Sequence, residues 1–342
     1  MIQNTYANLS SLTAEWVQPK FSVGDINILA VLTVLGILIA LEKRFGCRPG
    51  PRETVRQSYL TNLSTLVLND SMMSLLSVSS LLAVAEGFSR WGLLGSMADS
   101  FGKTLLSFIL LDFTLYLWHR ANHGIDCLWL FHKVHHSDRS MNVTTAFRLH
   151  VMEVLMTTLV KAVFIVAVGV DASTLLVNEL MVTLFVMFHH ADFSFTGEAS
   201  LGRWLIVPSL HRLHHSEQRK EHDRNYGAVL SWWDGLFGTL SIATPKEIGL
   251  RDVKPLGILE LVKFGFTFRY PSTAQMPVSE ALKGRVAEAA YYRAGQRCFA
   301  PGFELYDWLE AEREILGVGS QCMDCFLSSQ IRAWLSHLRV GR

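Results

Sequence analysis

Five long apolar stretches within the first 190 residues limit what this chain can fold into: 26–41, 60–85, 104–118, 151–170 and 174–188. A helix rises about 1.5 Å per residue, so crossing a hydrocarbon core of about 30 Å takes about 20 residues. The first, third and fifth stretches fall slightly short of that and need flanking residues to complete a span. The second is long enough but carries Asn62, Asn69 and Asp70, and the third carries Asp112. The last two are separated only by Asp171, Ala172 and Ser173 and read as a helical hairpin. Burying all five inside a soluble core is the competing reading, but five exceed what a core of this size needs. The expected fold is therefore all-α, an integral-membrane helical bundle of about four to five apolar segments.

Charge placement orients the bundle. The first 24 residues are polar and do not read as a cleaved signal peptide. Lys43, Arg44, Arg48, Arg52 and Arg56 follow the first apolar stretch, and the positive-inside rule puts them in the cytoplasm. The N-terminal tail then lies outside, the later stretches alternate, and everything after about residue 191 is cytoplasmic. The 31 basic side chains nearly balance 30 acidic ones, which argues against a nucleic-acid binder held by a basic field. Five scattered cysteines suggest no disulfide framework.

Thirteen histidines are the compositional oddity, and ten of them fall in four clusters. His119 and His123 lie in WHRANH; His132, His135 and His136 in FHKVHHS; His189 and His190 in FHHADF; His211, His214 and His215 in HRLHHS. The orientation above puts all four on one membrane face. The 53 residues between His136 and His190 are mostly the apolar hairpin, which returns the chain to the side it left. Positions i, i+3 and i+4 of a helix share a face, so H-x3-H offers two imidazoles to one point and H-x2-H-H offers three. Two triads, one pair and one further histidine give nine donors. A single tetrahedral zinc would use four, so nine suit two metals with open positions. Imidazole serves iron, zinc, copper and nickel, and spacing alone does not choose among them. His222 and His337 match no cluster and read as surface residues. His150, in FRLHVME, reads equally as an extra ligand, a donor behind the ligands or a packed side chain.

With HRANH, FHKVHHS, HHAD and HRLHHS in this order, flanked by HHSDRSMNVTTAFRLH and NYGAVLSWWDGLFGT, the chain resembles the fatty acid hydroxylase and sterol desaturase superfamily over roughly residues 25–270. The resemblance implies a membrane-bound helical fold capped by a cytoplasmic histidine region, with two irons, dioxygen as co-substrate and a lipid substrate. It implies His119, His123, His132, His135, His136, His211, His214 and His215 as ligands. It adds one from the third cluster, His190, with His189 as the alternative. Asn225, in the N-Y-G step, becomes a candidate contact behind the ligands. It also implies a multi-pass protein of the bacterial inner membrane that hydroxylates or desaturates a C–H bond of a fatty acyl, sterol, hopanoid or ether lipid.

Asp112 precedes His119 by two helical turns, about 10 Å deeper, where an unpartnered acid is costly. It reads either as an aid to a ligand histidine or as a hydrogen-bond partner of Asn69. Lys161 and Glu179 are placed to pair across the hairpin. The chain shows no GxGxxG after a strand, no Walker A and no four-cysteine iron–sulfur spacing, so electrons are expected from a separate reductase, ferredoxin or cytochrome.

Two other classes compete with the oxidoreductase. A zinc-dependent membrane lipid hydrolase would also use histidines, but HExxH is missing. A metal transporter or sensor would spread ionisable residues through the spans rather than gather them at one rim. Beyond a linker at 271–277, the stretch 278–317 resembles a short helical-hairpin module of unknown function. A tail, 318–342, carries Cys322 and Cys325, which read as free thiols. The expected organisation is thus a tail over 1–24, a membrane domain over 25–270, the hairpin and a second tail.

Overall fold

A computed structural model describes residues 23–48, 50–75, 81–251, 253–267, 280–296 and 304–315. Residues 1–22 of the N-terminal tail, the 271–277 linker, Cys298, Cys322, Cys325 and His337 lie outside the described residues. The chain divides into two compact units, 1–266 and 267–342. Among the described residues all regular elements are helical, and β structure is limited to three isolated bridges.

In the first unit, α1 (Val23–Phe45), α2 (Arg52–Leu75) and α3 (Leu81–Phe88) are followed by α4 (Phe101–Gly124) and α5 (Asp126–His136). Then come α6 (Val151–Val168) and α7 (Ala172–His190), and the short helices α8 (Glu198–Leu201), α9 (Pro208–His214), α10 (Arg219–His222), α11 (Trp232–Leu236) and α12 (Ile258–Gly265). Four of these, α1, α4, α6 and α7, are long and apolar enough to cross a membrane. The protein is a multi-pass membrane protein. The second apolar stretch behaves differently from the other four. It is shared between α2 and α3, and α2 is too polar to qualify.

The polar side chains of α2 have a purpose. Ser58 and Asn62 donate to the buried Asp138 at 2.7 and 3.0 Å, and Asn69 donates to the Leu149 carbonyl at 2.8 Å. Asp138 also accepts from Thr145, and buried Arg148 donates to Asn62 and to the Val134 carbonyl. Burial opposes ionisation of Asp138, but the Arg148 charge and these donors outweigh it and hold its carboxyl below the usual range. This network ties the last turn of α5 to α2, so the helix carrying the second histidine cluster is fixed from behind.

The two ends of the bundle are chemically distinct. At one, Lys103 of α4 pairs with Asp99 and with Asp171, whose carboxylate also caps α7 through the Thr174 amide. Gly169 ends α6 there with φ 81°, a left-handed turn that glycine adopts without strain. Lys161 and Glu179 do pair between α6 and α7, 2.7 Å apart. The histidine clusters occupy the opposite end. In the second unit, α13 (Glu280–Gln296) and α14 (Glu304–Ile315) pack as a hairpin around buried Val286 and Ala311.

Candidate metal centre

The C-terminal ends of α4 and α7, the last two turns of α5 and the whole of α9 bring nine imidazoles together in two groups. His119, His123, His132, His136 and His214 form one, with a ring nitrogen of each within 4.8 Å of the others. His135, His190, His211 and His215 form the second. The H-x3-H pair of α4 stays together, as expected. The two H-x2-H-H clusters do not each converge on one point. Successive helical residues turn by about 100°, so i+3 and i+4 lie on opposite sides of i and diverge from each other by about 100°. Each cluster therefore straddles both groups. His132 and His136 enter the first while His135 enters the second; His211 and His215 enter the second while His214 enters the first.

The second group is compact. Nε2 of His190 lies 3.0 Å from Nε2 of both His135 and His211, and His211 Nε2 lies 3.2 Å from His215 Nε2. In the first group the Nε2 atoms of His119 and His132 are 3.1 Å apart. Oxygen atoms hold several rings from behind. Nδ1 of His119 meets the Tyr226 carbonyl at 2.8 Å, that of His190 the Val186 carbonyl at 2.7 Å, and that of His214 the Arg224 carbonyl at 2.7 Å. Two carboxylates do the same work. Glu153 Oε1 lies 2.6 Å from His132 Nδ1, and Asp223 Oδ1 lies 3.2 Å from His123 Nδ1. Burial first, and the neighbouring rings second, push His135, His136, His211, His214 and His215 well below the ordinary imidazole range. They are neutral at pH 7, the form that binds metal.

Residues 104–239, which contain all nine histidines, match the fatty acid hydroxylase family. The segment belongs to the fatty acid hydroxylase and sterol desaturase superfamily. Human alkylglycerol monooxygenase is 30% identical over 161 residues, 47% of this chain and 35% of that protein. Ornithine lipid hydroxylase OlsE of Rhizobium tropici is 30% identical over 184 residues, 54% of this chain and 52% of that one. Cholesterol 25-hydroxylase of Rattus norvegicus is 26% identical over 151 residues, 43% and 49% of the two chains. The chain spans between a third and about half of the length of these relatives. Residues 281–317 match a family described as a protein of unknown function. No solved structure matches.

The donor set fits the metals that the superfamily implies. Buried polar atoms are rarely left unpaired. Yet His123 Nε2, both nitrogens of His136 and His214 Nε2 have no hydrogen-bond partner in the interior of the first group. Two nitrogens each about 2.1 Å from one ion would stand about 3.0–3.4 Å apart over the bond angles from square to tetrahedral. The Nε2 separations of 3.0–3.2 Å are close to that.

Several sequence expectations need correction. Asp112 meets neither a histidine nor Asn69. Its carboxylate accepts from the amides of Val229 and Leu230 and from the Trp233 indole, at 2.8, 3.1 and 2.8 Å. His150 is no ligand: Nδ1 accepts from the Met152 amide to cap α6, and Nε2 faces the Val262 carbonyl. Asn225 contacts no imidazole. With φ 54°, it donates to the Leu210 and Ser241 carbonyls, clamping α9 just before His211. His222 is buried, not at the surface; it faces the Ser216 carbonyl and stacks on Trp129 beside His123 and Asp223. His189 stays outside both groups, although its ring centroid lies 4.0 Å from that of His211. Glu153, Asp223 and Asp234 were not singled out from the sequence. Asp234 accepts from the Tyr226 and Gly227 amides and so sets the carbonyl that holds His119.

Proposed function

We propose that this protein is a membrane-bound oxidoreductase that hydroxylates or desaturates an unactivated C–H bond of a lipid, using two irons, dioxygen and two electrons from a separate donor. The observation that carries this reading is the convergence of nine imidazoles in two adjacent groups at one end of four membrane-length helices. The nine are His119, His123, His132, His136 and His214 for one iron, and His135, His190, His211 and His215 for the other. Irons held there would activate dioxygen and supply the oxidising power to break the C–H bond. Hydroxylation balances as R–H + O2 + 2e⁻ + 2H⁺ giving R–OH + H2O. Desaturation consumes the same electrons and protons and releases two waters.

The chain's own contribution is to orient, to exclude water and to hold the lipid. Nδ1 contacts to carbonyls and carboxylates fix five rings, His119, His123, His132, His190 and His214, and aim Nε2 inward. Near-complete burial of the clusters keeps water away. An apolar groove of about 510 Å³ runs between α4 and α6, lined by Leu110, Phe113, Thr114, Leu159, Val163 and Phe164 among others. Thr114 lies five residues, about 7.5 Å along the axis, from His119. The groove suits an alkyl chain reaching the metals from the bilayer. Relatives named for alkylglycerol, ornithine lipid and cholesterol support a lipid as the substrate class. The basic residues after α1 support a cytoplasmic position for the histidine end, in the inner membrane of a bacterium. We also assign the membrane unit to 25–270 and treat 278–317 as a separate hairpin.

Comparative lipidomics of aerobic, iron-replete cells tests the reading. With the gene expressed, one lipid class gains one oxygen or loses two hydrogens, and a His135→Ala variant abolishes the change. A lipidome identical in both cultures refutes it. Tightly held zinc without oxygen consumption would favour the hydrolase or transporter readings.

A further inference from the structure

Residues 225–245, between Arg224 and Lys246, include only one charged side chain, Asp234, and that one is fully buried. This stretch contains no membrane-length helix, only the five-residue α11. Its outer face is nonetheless apolar. Trp232, Leu236, Leu240 and Ile242 are exposed, Leu236 by 69% and Ile242 by 86%, and Trp204 extends the patch with its ring 6.1 Å from that of Trp232.

The depth of the stretch follows from α4. Asp112 is nine residues from Lys103, which pairs with Asp171 at the end remote from the histidines, and seven from His119. At about 1.5 Å per residue it lies about 13 Å from the first and about 10 Å from the second, near the middle of the helix. Val229, Leu230 and Trp233 bond to Asp112, and Phe113 packs on Trp233 and Phe237 with ring centroids 4.7 and 6.0 Å apart. The loop therefore reaches the depth of the hydrocarbon core.

Irregular backbone at that depth is tolerated only if its polar groups are satisfied by protein. Three side chains accept backbone amides of the segment, and Arg224 donates to the Gly238 carbonyl. Asp112 takes the amides of Val229 and Leu230, Asp234 takes those of Tyr226 and Gly227, and Asn225 Oδ1 takes that of Ser241. Backbone carbonyls take others: Ser231 bonds to Trp204, and Thr239 and Leu240 both bond to Asp234.

We infer that residues 225–245 form a re-entrant segment inserted into the bilayer from the histidine side, with Trp232, Leu236, Leu240 and Ile242 against lipid acyl chains. The inference rests on the multi-pass membrane reading and adds a lipid-facing element that does not span to the four helices that do. It also gives the buried acids Asp112 and Asp234 a reason to exist: they replace the water that backbone amides would otherwise need.

Site-directed spin labelling of the full chain in phosphatidylcholine vesicles tests it. In a background with all five cysteines replaced by serine, nitroxides are placed by Leu236→Cys, Ile242→Cys, Val163→Cys on α6 and Lys246→Cys. Collision with oxygen is compared with collision with a water-soluble nickel chelate. Leu236 and Ile242 should match Val163, favouring oxygen by tenfold or more over Lys246. Lipid-like values at Val163 with water-like values at Leu236 overturn the inference alone. Labels at Leu236 shielded from both probes indicate a protein partner and overturn it too. A water-exposed Val163 overturns the membrane reading and this inference together. If the cysteine-free chain does not fold, tryptophan quenching by brominated phosphatidylcholine in the native sequence decides. Trp232→Phe should lower the quenched share of emission, and an unchanged share overturns the inference.

Discussion

Glu153 offers the sharpest test of how the site works. It stands in the first turn of α6, almost fully buried, with Oε1 2.6 Å from His132 Nδ1 and Oε2 without a partner. A histidine that binds metal through Nε2 carries its proton on Nδ1, so Glu153 accepts that proton's hydrogen bond and raises the basicity of Nε2. Glu153→Leu removes the acceptor and leaves a buried N–H unpaired. Loss of such a partner typically weakens metal binding about 10- to 100-fold, equivalent to about 1.4–2.8 kcal/mol. Glu153→Gln keeps a neutral acceptor and should fall between wild type and Leu. The assay is a chelator titration of the purified, iron-loaded protein with metal retained per chain as the readout. In Glu153→Leu the equivalent held by the five-histidine group should leave at a tenfold or more lower chelator concentration, with the other equivalent unmoved. If both equivalents leave at wild-type concentrations, Glu153 does not act through His132 and the reasoning fails.

Other perturbations separate ligands from scaffold. His190→Ala removes one of four donors and should cost one metal equivalent, whereas His189→Ala should keep both; elemental analysis showing the reverse would exchange their roles. Asp112→Leu orphans three buried donors at about 1–3 kcal/mol each, so thermal unfolding in detergent should drop by at least about 3 kcal/mol. Unchanged stability with lost metal would restore Asp112 to the site. At the opposite rim, Asp171 is destabilised as an anion by burial, but Ser173, Thr174 and Lys103 outweigh this and hold its carboxyl below the usual range. A depressed folded value stabilises the fold above the unfolded value of about 3.9 and loses that effect as pH falls through the folded value. Asp171→Asn should therefore melt earlier than wild type at pH 7, with the gap narrowing below about pH 4; a gap that stays constant with pH would deny the carboxylate this role.

What the sequence reveals depends on whether the information is local. Spacing within ten or so residues picked out the four histidine clusters, the family resemblance preferred His190 to His189, and sheer apolar length located α1, α4, α6 and α7. The second apolar stretch misled because Asn62 answers to Asp138, 76 residues away, and Asn69 to the Leu149 carbonyl, 80 away. Hydropathy sees their polarity but not their partners. Asp112 was legible as a costly buried acid that needs a partner. The partners are mostly backbone amides more than a hundred residues on, and amides leave no mark in a sequence. Glu153 and Asp223 are lone acids with no spacing signal, and His222 looked like a surface residue for the same reason.

The absence of carboxylates from the two histidine groups has an electrostatic consequence. Imidazole brings no negative charge to a metal it binds, so nine such ligands leave the charge of two metal ions uncompensated in a poorly polarisable interior, where charge is costly. The negative groups that touch the rings, Glu153 and Asp223, both stand behind the five-histidine group. The four-histidine group has one contact from behind, the Val186 carbonyl on His190, while Nδ1 of His135, His211 and His215 has no partner. The two positions therefore differ in donor number and in charge, and both differences favour the first. Chelation of the wild-type protein should accordingly release metal in two steps, the four-histidine equivalent first. Glu153→Leu combined with Asp223→Asn should draw the steps together. Release of both metals in a single step from the wild type would show that carboxylates placed behind histidines do not set the order of binding here.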